Sequence, residues 1–303
     1  MTERYKTFPP GRDYFRVPMS SRRAALAGLC LYGACKPRVL WGQRTAWLAV
    51  RLFGPRALPG RASEWSPPID ATRWQALCET WRARLGAFDS MAAYHRRQAS
   101  RPGLALLLLR NGTPVAFVKV RVEGGKESLH DEAAALDAVW RYRPRSFSVP
   151  EPLQCGTEGE WQWLATSALP IGLHHPPARP RLEAILPEIE AALAGLPRPD
   201  GTPDHWRPMH GDFAPWNLRR IGRATVVLID WERAGWGPPE ADRVLYQATW
   251  AALRGGGRPP EPCDALEAIR YWRKRAASWP ETDTDHTFSL ALQARLREME
   301  VRA

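Results

Sequence analysis

The chain has 303 residues, 44% of them hydrophobic and 25% charged, enough to bury a core in two packed lobes. No apolar run reaches the roughly 18 residues of a spanning helix. The five cysteines (Cys30, Cys35, Cys78, Cys155 and Cys263) are scattered without a Cys-x-x-Cys pair, which points to a reduced, cytoplasmic protein without structural zinc. Residues 1–60 hold eleven Lys/Arg against two Asp/Glu, so +9 of the total +11 belongs to the amino-terminal segment.

Residues 1–88 read as a basic, Trp- and Arg-rich helical extension. Met1 to Pro18 is rich in Pro, Arg and aromatics and is expected to be irregular. Ser20 or Ser21 caps a helix through Ala24-Ala-Leu-Ala-Gly-Leu, and Pro37 breaks it. Two arginines before this short apolar stretch hint at a signal peptide. The stretch starts late and ends in Tyr-Gly-Ala-Cys, so secretion is not expected. Val39 to Phe53 has a second helical period, with Leu40, Trp41, Trp47, Leu48, Leu52 and Phe53 partly on one face and Arg44 and Arg51 elsewhere. Residues 20–56 either pack against the body of the protein with solvated arginines or touch an anionic membrane at the inner face. No nucleic-acid motif accompanies the charge, and nucleic acid is not an expected partner. Asp70 to Leu85 is a further helix with Trp74, Leu77, Trp81 and Leu85 at helical spacing.

Residues 89–172 read as a sheet lobe. Ala92 to Arg97 is a strand, Gln98 to Gly103 a loop, and Leu104 to Arg110 an apolar strand. Asn111-Gly112 then makes a tight hairpin into Val115 to Val122. Lys119 interrupts that last apolar run in a chain with 38 arginines and only five lysines. It is either a buried cation with a task or a solvent-facing residue on an edge strand. A helix from Glu127 to Trp140 follows, with Glu132 leaning towards its apolar side; Glu127 and Asp131 are the other carboxylates nearby. Val149 to Leu153 and Trp161 to Thr166 read as two more strands, and Ala168 to Gly172 as a connecting stretch.

Residues 173–303 read as a mainly helical lobe. Arg181 to Leu196 is amphipathic. After a Pro-rich linker comes His210-Gly-Asp212, then Asn217 five residues on, and an apolar run that ends in Ile229-Asp230-Trp-Glu232. Arg243 to Leu253, Leu266 to Trp279 and Phe288 to Met299 are the closing helices.

The order and spacing of Asp212, Asn217 and Asp230 match a kinase catalytic loop followed by a metal-binding carboxylate. His-Gly-Asp in place of His-Arg-Asp, together with Asp-Trp-Glu, resembles the aminoglycoside phosphotransferase and choline kinase family over roughly residues 90–260. Extended members associated with polysaccharide biosynthesis offer the looser match for residues 1–88. The resemblance implies an α+β, protein-kinase-like two-lobed fold, with a small antiparallel-sheet lobe and a mainly helical lobe. It implies Asp212 as the base that takes the acceptor hydroxyl proton, and Asn217 and Asp230 as ligands of Mg²⁺. Lys119 would meet the phosphates of ATP or GTP and Glu132 would hold that lysine. Ser100 and Arg101 would lie in the phosphate loop, and Ala168 and Leu169 in the hinge facing the base. His210 is expected to brace the loop and Asp242 to brace the lobe. A G-x-G-x-x-G loop is missing, which argues against a protein kinase.

The resemblance implies a small-molecule hydroxyl as the acceptor. Residues 231–303 carry eleven acids and eleven bases, so no acidic excess favours a polycationic aminoglycoside, and a sugar or related metabolite is preferred. The competing reading is a catalytically weak, pseudokinase-like nucleotide-binding or scaffold protein at a membrane.

Overall fold

The computed structural model describes residues 3–9, 14–31, 33–95, 103–123, 128–222, 225–254, 265–279 and 286–303. Contacts divide the chain into two compact units, one formed by residues 1–130 and 150–174 and the other by 131–149 and 175–303.

The first unit is built on a seven-stranded sheet of β1 (Tyr5–Phe8), β2 (Phe15–Pro18), β3 (Ser90–His95), β4 (Gly103–Arg110), β5 (Thr113–Val122), β6 (Pro152–Glu158) and β7 (Trp161–Thr166). The strand order is β1-β2-β3-β4-β5-β7-β6, and every pairing is antiparallel. Asn111 (φ 52) and Gly112 (φ 73) are both left-handed, as a two-residue hairpin that follows the strand twist requires.

Strand β4 is apolar without alternation because both its faces are covered. Helices α1 (Arg22–Cys30), α2 (Pro37–Phe53) and α3 (Ala71–Leu85) complete the unit. Leu104, Leu106 and Leu108 pack with Leu77, Cys78 and Trp81 of α3. Leu107 and Leu109 pack with Ala24 and Ala27 of α1. The small residues of α1 allow this close approach; a Cβ on Gly28 would stand 2.8 Å from Pro18 Cδ. Ser21 caps α1 by accepting from Ala24 N–H, and Asp70 caps α3 by accepting from Thr72 and Arg73.

The stretch expected to be irregular, Met1 to Pro18, contributes two paired strands. Phe8, Phe15 and Val17 share a core with Ala25, Leu29, Val50 and Leu58. Burial of those aromatics outweighs the local signal of the prolines. Pro37 separates α1 from α2 by opening the second helix, where a missing N–H costs nothing. Strand β6 begins at Pro152, after the run that reads as a strand from Val149.

The second unit is mainly helical. It contains α4 (Leu129–Tyr142, all but its first two residues), α5 (Leu182–Ala192), α6 (Ala241–Arg254), α7 (Leu266–Ala277) and α8 (His286–Arg302). Two ribbons are added, β8 (Arg207–Met209) with β11 (Gly235–Gly237), and β9 (Leu218–Ile221) with β10 (Thr225–Leu228). One core joins Leu136 and Val139 of α4 and Ile185 and Ile189 of α5 to Phe213, Leu228 and Trp231. A second joins α6, α7 and α8 through Leu245, Ile269, Trp272, Leu292 and Leu296. The α+β expectation thus holds, with a sheet-based unit and a mainly helical one. Among the described residues no helix is long and apolar enough to cross a membrane.

Candidate active site

The two ribbons carry the site. Met209 of β8 stands opposite Gly235 of β11, and Leu218 of β9 opposite Leu228 of β10. The segments 210–217 and 229–234 are therefore held side by side. The Ile229 N–H donates to the Asn217 carbonyl at 3.0 Å. Register, and not sequence proximity, is what makes Asn217 and Asp230 neighbours.

Asp212 is fixed from two sides. The Asn217 amide nitrogen donates to its carboxylate Oδ2 at 3.0 Å and to its backbone carbonyl at 2.8 Å. The Arg233 guanidinium stands 4.0 Å from Oδ1. Burial pushes the Asp212 carboxyl up to about 7; the Arg233 charge pulls down, Asp230 and Glu232 push up, and the Asn217 bond pulls down. With its nitrogen held by Asp212, the Asn217 side chain has its carbonyl oxygen as the atom to offer a cation.

His210 is fully buried and its tautomer is set by two bonds. Its Nδ1 accepts from the Asp212 backbone N–H at 3.2 Å, so Nε2 carries the proton and donates to the Ile229 carbonyl at 3.1 Å. Its ring lies 4.5 Å from that of Trp231 and 6.1 Å from that of Phe213. The imidazole thus ties the loop to the segment carrying Asp230.

Asp242, buried at the start of α6, accepts from the backbone N–H groups of His210 at 2.7 Å and Gly211 at 3.1 Å. Burial pushes its carboxyl up to about 7, against the pull of those two bonds and with a further push from Glu190. Gly211 adopts φ 75, and a Cβ there would fall on the Arg233 carbonyl. The His-Gly-Asp form is therefore a steric requirement of this loop.

Asp230 sits at φ 70, a left-handed backbone that Asp tolerates better than most residues. Such conformations cost about 1–3 kcal/mol and persist where the surroundings impose them. One carboxylate oxygen each from Glu132 on α4, Asp230 and Glu232 lie within 4.8 Å of one another. Carboxylate oxygens grouped in this way are the ligand type that hard divalent cations take. Together with the Asn217 oxygen, this all-oxygen donor set fits Mg²⁺.

The remaining residues singled out in the sequence belong to the first unit or fall outside the described residues. Lys119 is buried on β5, between β4 and β7, so the edge-strand alternative does not hold. Ala168 packs against the cluster of Ala24, Ala27 and Leu107, and Leu169 follows it; both belong to the first unit, as does Lys119. Ser100 and Arg101, and the alternative carboxylate Glu127, fall outside the described residues. No motif or spacing in the sequence singles out Arg233. Its only signal was a cation directly after Asp-Trp-Glu. The closeness of Glu132 to Asp230 depends on the packing of α4 against Trp231 and Leu228.

Residues 171–277 match the phosphotransferase enzyme family. The matched segment contains His210, Asp212, Asn217, Asp230, Glu232 and Asp242, so it holds all but Glu132 of the geometry above. No curated protein matches the chain. Among solved structures, a putative fructosamine-3-kinase from Haemophilus somnus 129PT is 11% identical, with 75% of this chain and 97% of that one covered at a TM-score of 0.45. A choline/ethanolamine kinase family protein from Mesorhizobium loti is 15% identical, covering 73% and 94% at 0.39. An aminoglycoside phosphotransferase in ternary complex with ADP and hygromycin B is 12% identical, covering 75% and 99% at 0.42.

Proposed function

We propose that this phosphotransferase moves the γ-phosphate of ATP or GTP to a hydroxyl of a small molecule, a sugar or related metabolite. The observation that carries the reading is the fixing of one buried carboxylate, Asp212, between an amide and a guanidinium, beside a separate all-oxygen cluster. Asp212 orients the acceptor hydroxyl and takes its proton as the new O–P bond forms. The bond from the γ-phosphorus to the bridging oxygen breaks, and the nucleoside diphosphate leaves. Catalysis of this kind is positioning and charge neutralisation, which explains why the side chains around Asp212 are buried and braced.

Asn217 and Asp230, joined by Glu232 and Glu132, are the residues that would hold Mg²⁺. Bound there, the ion would neutralise phosphate charge. Arg233 keeps Asp212 in place and supplies a fixed positive charge beside it. Lys119, buried within the sheet, is proposed to meet the nucleotide phosphates, and Ala168 and Leu169 to face its base. The neutral balance of acids and bases over residues 231–303 favours an uncharged or anionic acceptor.

Two measurements test the reading. Mg²⁺-nucleotide at millimolar concentration should raise the melting temperature, because a ligand of the native state stabilises by mass action. In a nucleotide-consumption screen across sugars, lipid-linked sugars, amino alcohols and aminoglycosides, Asp212→Asn should still bind nucleotide. It should lose turnover by about two orders of magnitude or more. Full activity of Asp212→Asn on the acceptor found would remove the assignment. An absence of any nucleotide-induced shift would support the pseudokinase-like scaffold instead.

A further inference from the structure

Helix α2 has two faces of opposite use. Val50 and Gln43 are buried, and Ala46 and Trp47 pack against the core of β2 and α1. The opposite side exposes Trp41 (67%), Leu48 (52%) and Leu52 (57%); Phe53 (76%) is exposed at the carboxy-terminal end, about 100° round the helix from Leu52. The first three recur at i, i+7 and i+11, which places them in an arc of about 40° on a helix of 3.6 residues per turn. A row of large apolar side chains turned to water on one helix face marks a contact surface.

The charges around this row choose its occupant. Residues 14–63 contain nine Lys/Arg and no Asp or Glu. Arg44 and Arg51 flank one side of the row and Arg38 the other; all three are exposed, as are Arg56 and Arg61 just beyond the helix. The Arg44 guanidinium lies 5.8 Å from the Trp41 ring centre and that of Arg51 lies 5.4 Å from Trp47. Apolar stems and rings thus stand beside cationic heads, the arrangement of side chains that sit at the boundary of lipid and water.

We infer that this face of α2 seats the chain on the surface of an anionic lipid bilayer, with Trp41, Leu48, Leu52 and Phe53 entering the headgroup boundary and the arginines meeting lipid phosphates. A second copy of the chain is a poorer fit, because a self-contact here would bring two wholly cationic segments together. A polynucleotide would satisfy the arginines and leave Leu48, Leu52 and Phe53 in water. The inference does not depend on the reaction proposed above.

The test is co-sedimentation of the full chain with phosphatidylcholine vesicles and with vesicles that also contain phosphatidylglycerol. Binding to the anionic vesicles, weakening as salt rises, is expected, with little binding to the neutral ones. Leu48→Glu with Leu52→Glu should reduce anionic-vesicle binding about tenfold or more. Arg44→Gln with Arg51→Gln should weaken it and make it less sensitive to salt. All four positions are exposed, so melting temperature and nucleotide-induced shift should stay at wild-type values. No vesicle binding, equal binding to both compositions, or binding indifferent to both double variants would overturn the inference. Concentration-dependent self-association abolished by Leu48→Glu with Leu52→Glu would also overturn it and assign the face to a second copy. Binding of an oligonucleotide that survives that variant, without vesicle binding, would assign the charge to nucleic acid.

Discussion

A methyl group on Gly211 would fall on the carbonyl oxygen of Arg233. The glycine between His210 and Asp212 is thus what lets the loop that carries Asp212 lie against the segment that carries Asp230 and Glu232. Its φ of 75 adds a second reason for the absence of a side chain. Gly211→Ala must push the two segments apart. The expected cost is about 1–3 kcal/mol of stability. Turnover should fall about a hundredfold, since a misplacement near 1 Å is enough for that. Urea denaturation and steady-state rates measure the two effects; an alanine variant with wild-type rate would show that the loop tolerates the shift.

Asp242 offers a prediction with a pH axis. Its carboxyl, raised to about 7 in the folded protein, is an ordinary carboxyl near 3.9 in the unfolded chain. Between these values the folded state holds the extra proton, so this group's contribution to stability declines as pH rises from about 4 to 7 and is level above. Asp242→Asn does not titrate, and it keeps only one of the two acceptors that serve His210 and Gly211. The variant should be less stable than wild type by about 1–3 kcal/mol at pH 5. The gap should narrow towards pH 8. Denaturation midpoints at several pH values would decide it; a gap constant with pH would mean that Asp242 stays ionised throughout.

The carboxylate cluster predicts a metal phenotype. Asp230→Asn removes charge and keeps a residue that accepts the left-handed backbone at this position. Glu232→Gln removes charge from the same cluster. Each should raise the Mg²⁺ concentration needed for half-maximal activity by about tenfold or more. The Asp242 brace should be untouched, so the melting temperature without metal should stay near the wild-type value. Mg²⁺ titrations of activity that superimpose on wild type would place the ion elsewhere.

Much of this architecture could be read from the residues. Apolar positions at helical spacing marked α3 and α5 to α8 to within a few residues, because their burial on one face leaves a periodic trace. Asn111-Gly112 announced its hairpin because few other pairs take two left-handed conformations. Asp212, Asn217 and Asp230 were visible as a spacing. What could not be read depends on partners distant in sequence. Tyr5–Phe8 and Phe15–Pro18 are strands only because β3 and the α1 core receive them. Arg233 gained its place beside Asp212 from the β8–β11 pairing, and nothing in its immediate neighbours signals that. Glu132 reads as one of three carboxylates near a helix start until α4 is packed and its carboxylate meets those of Asp230 and Glu232.

The amino-terminal strands have a bearing on how this protein can change. β2 pairs along β3, and α1 covers Leu107 and Leu109 of β4, so the first sixty residues finish a sheet that the later strands leave incomplete. Their removal would bare a strand edge and an apolar sheet face, both of which invite chain-to-chain pairing. The basic segment is therefore no detachable accessory. It can diverge on its outward side, where Trp41 and Leu52 face water, but its inward side is committed to the cores it shares with β3 and β4.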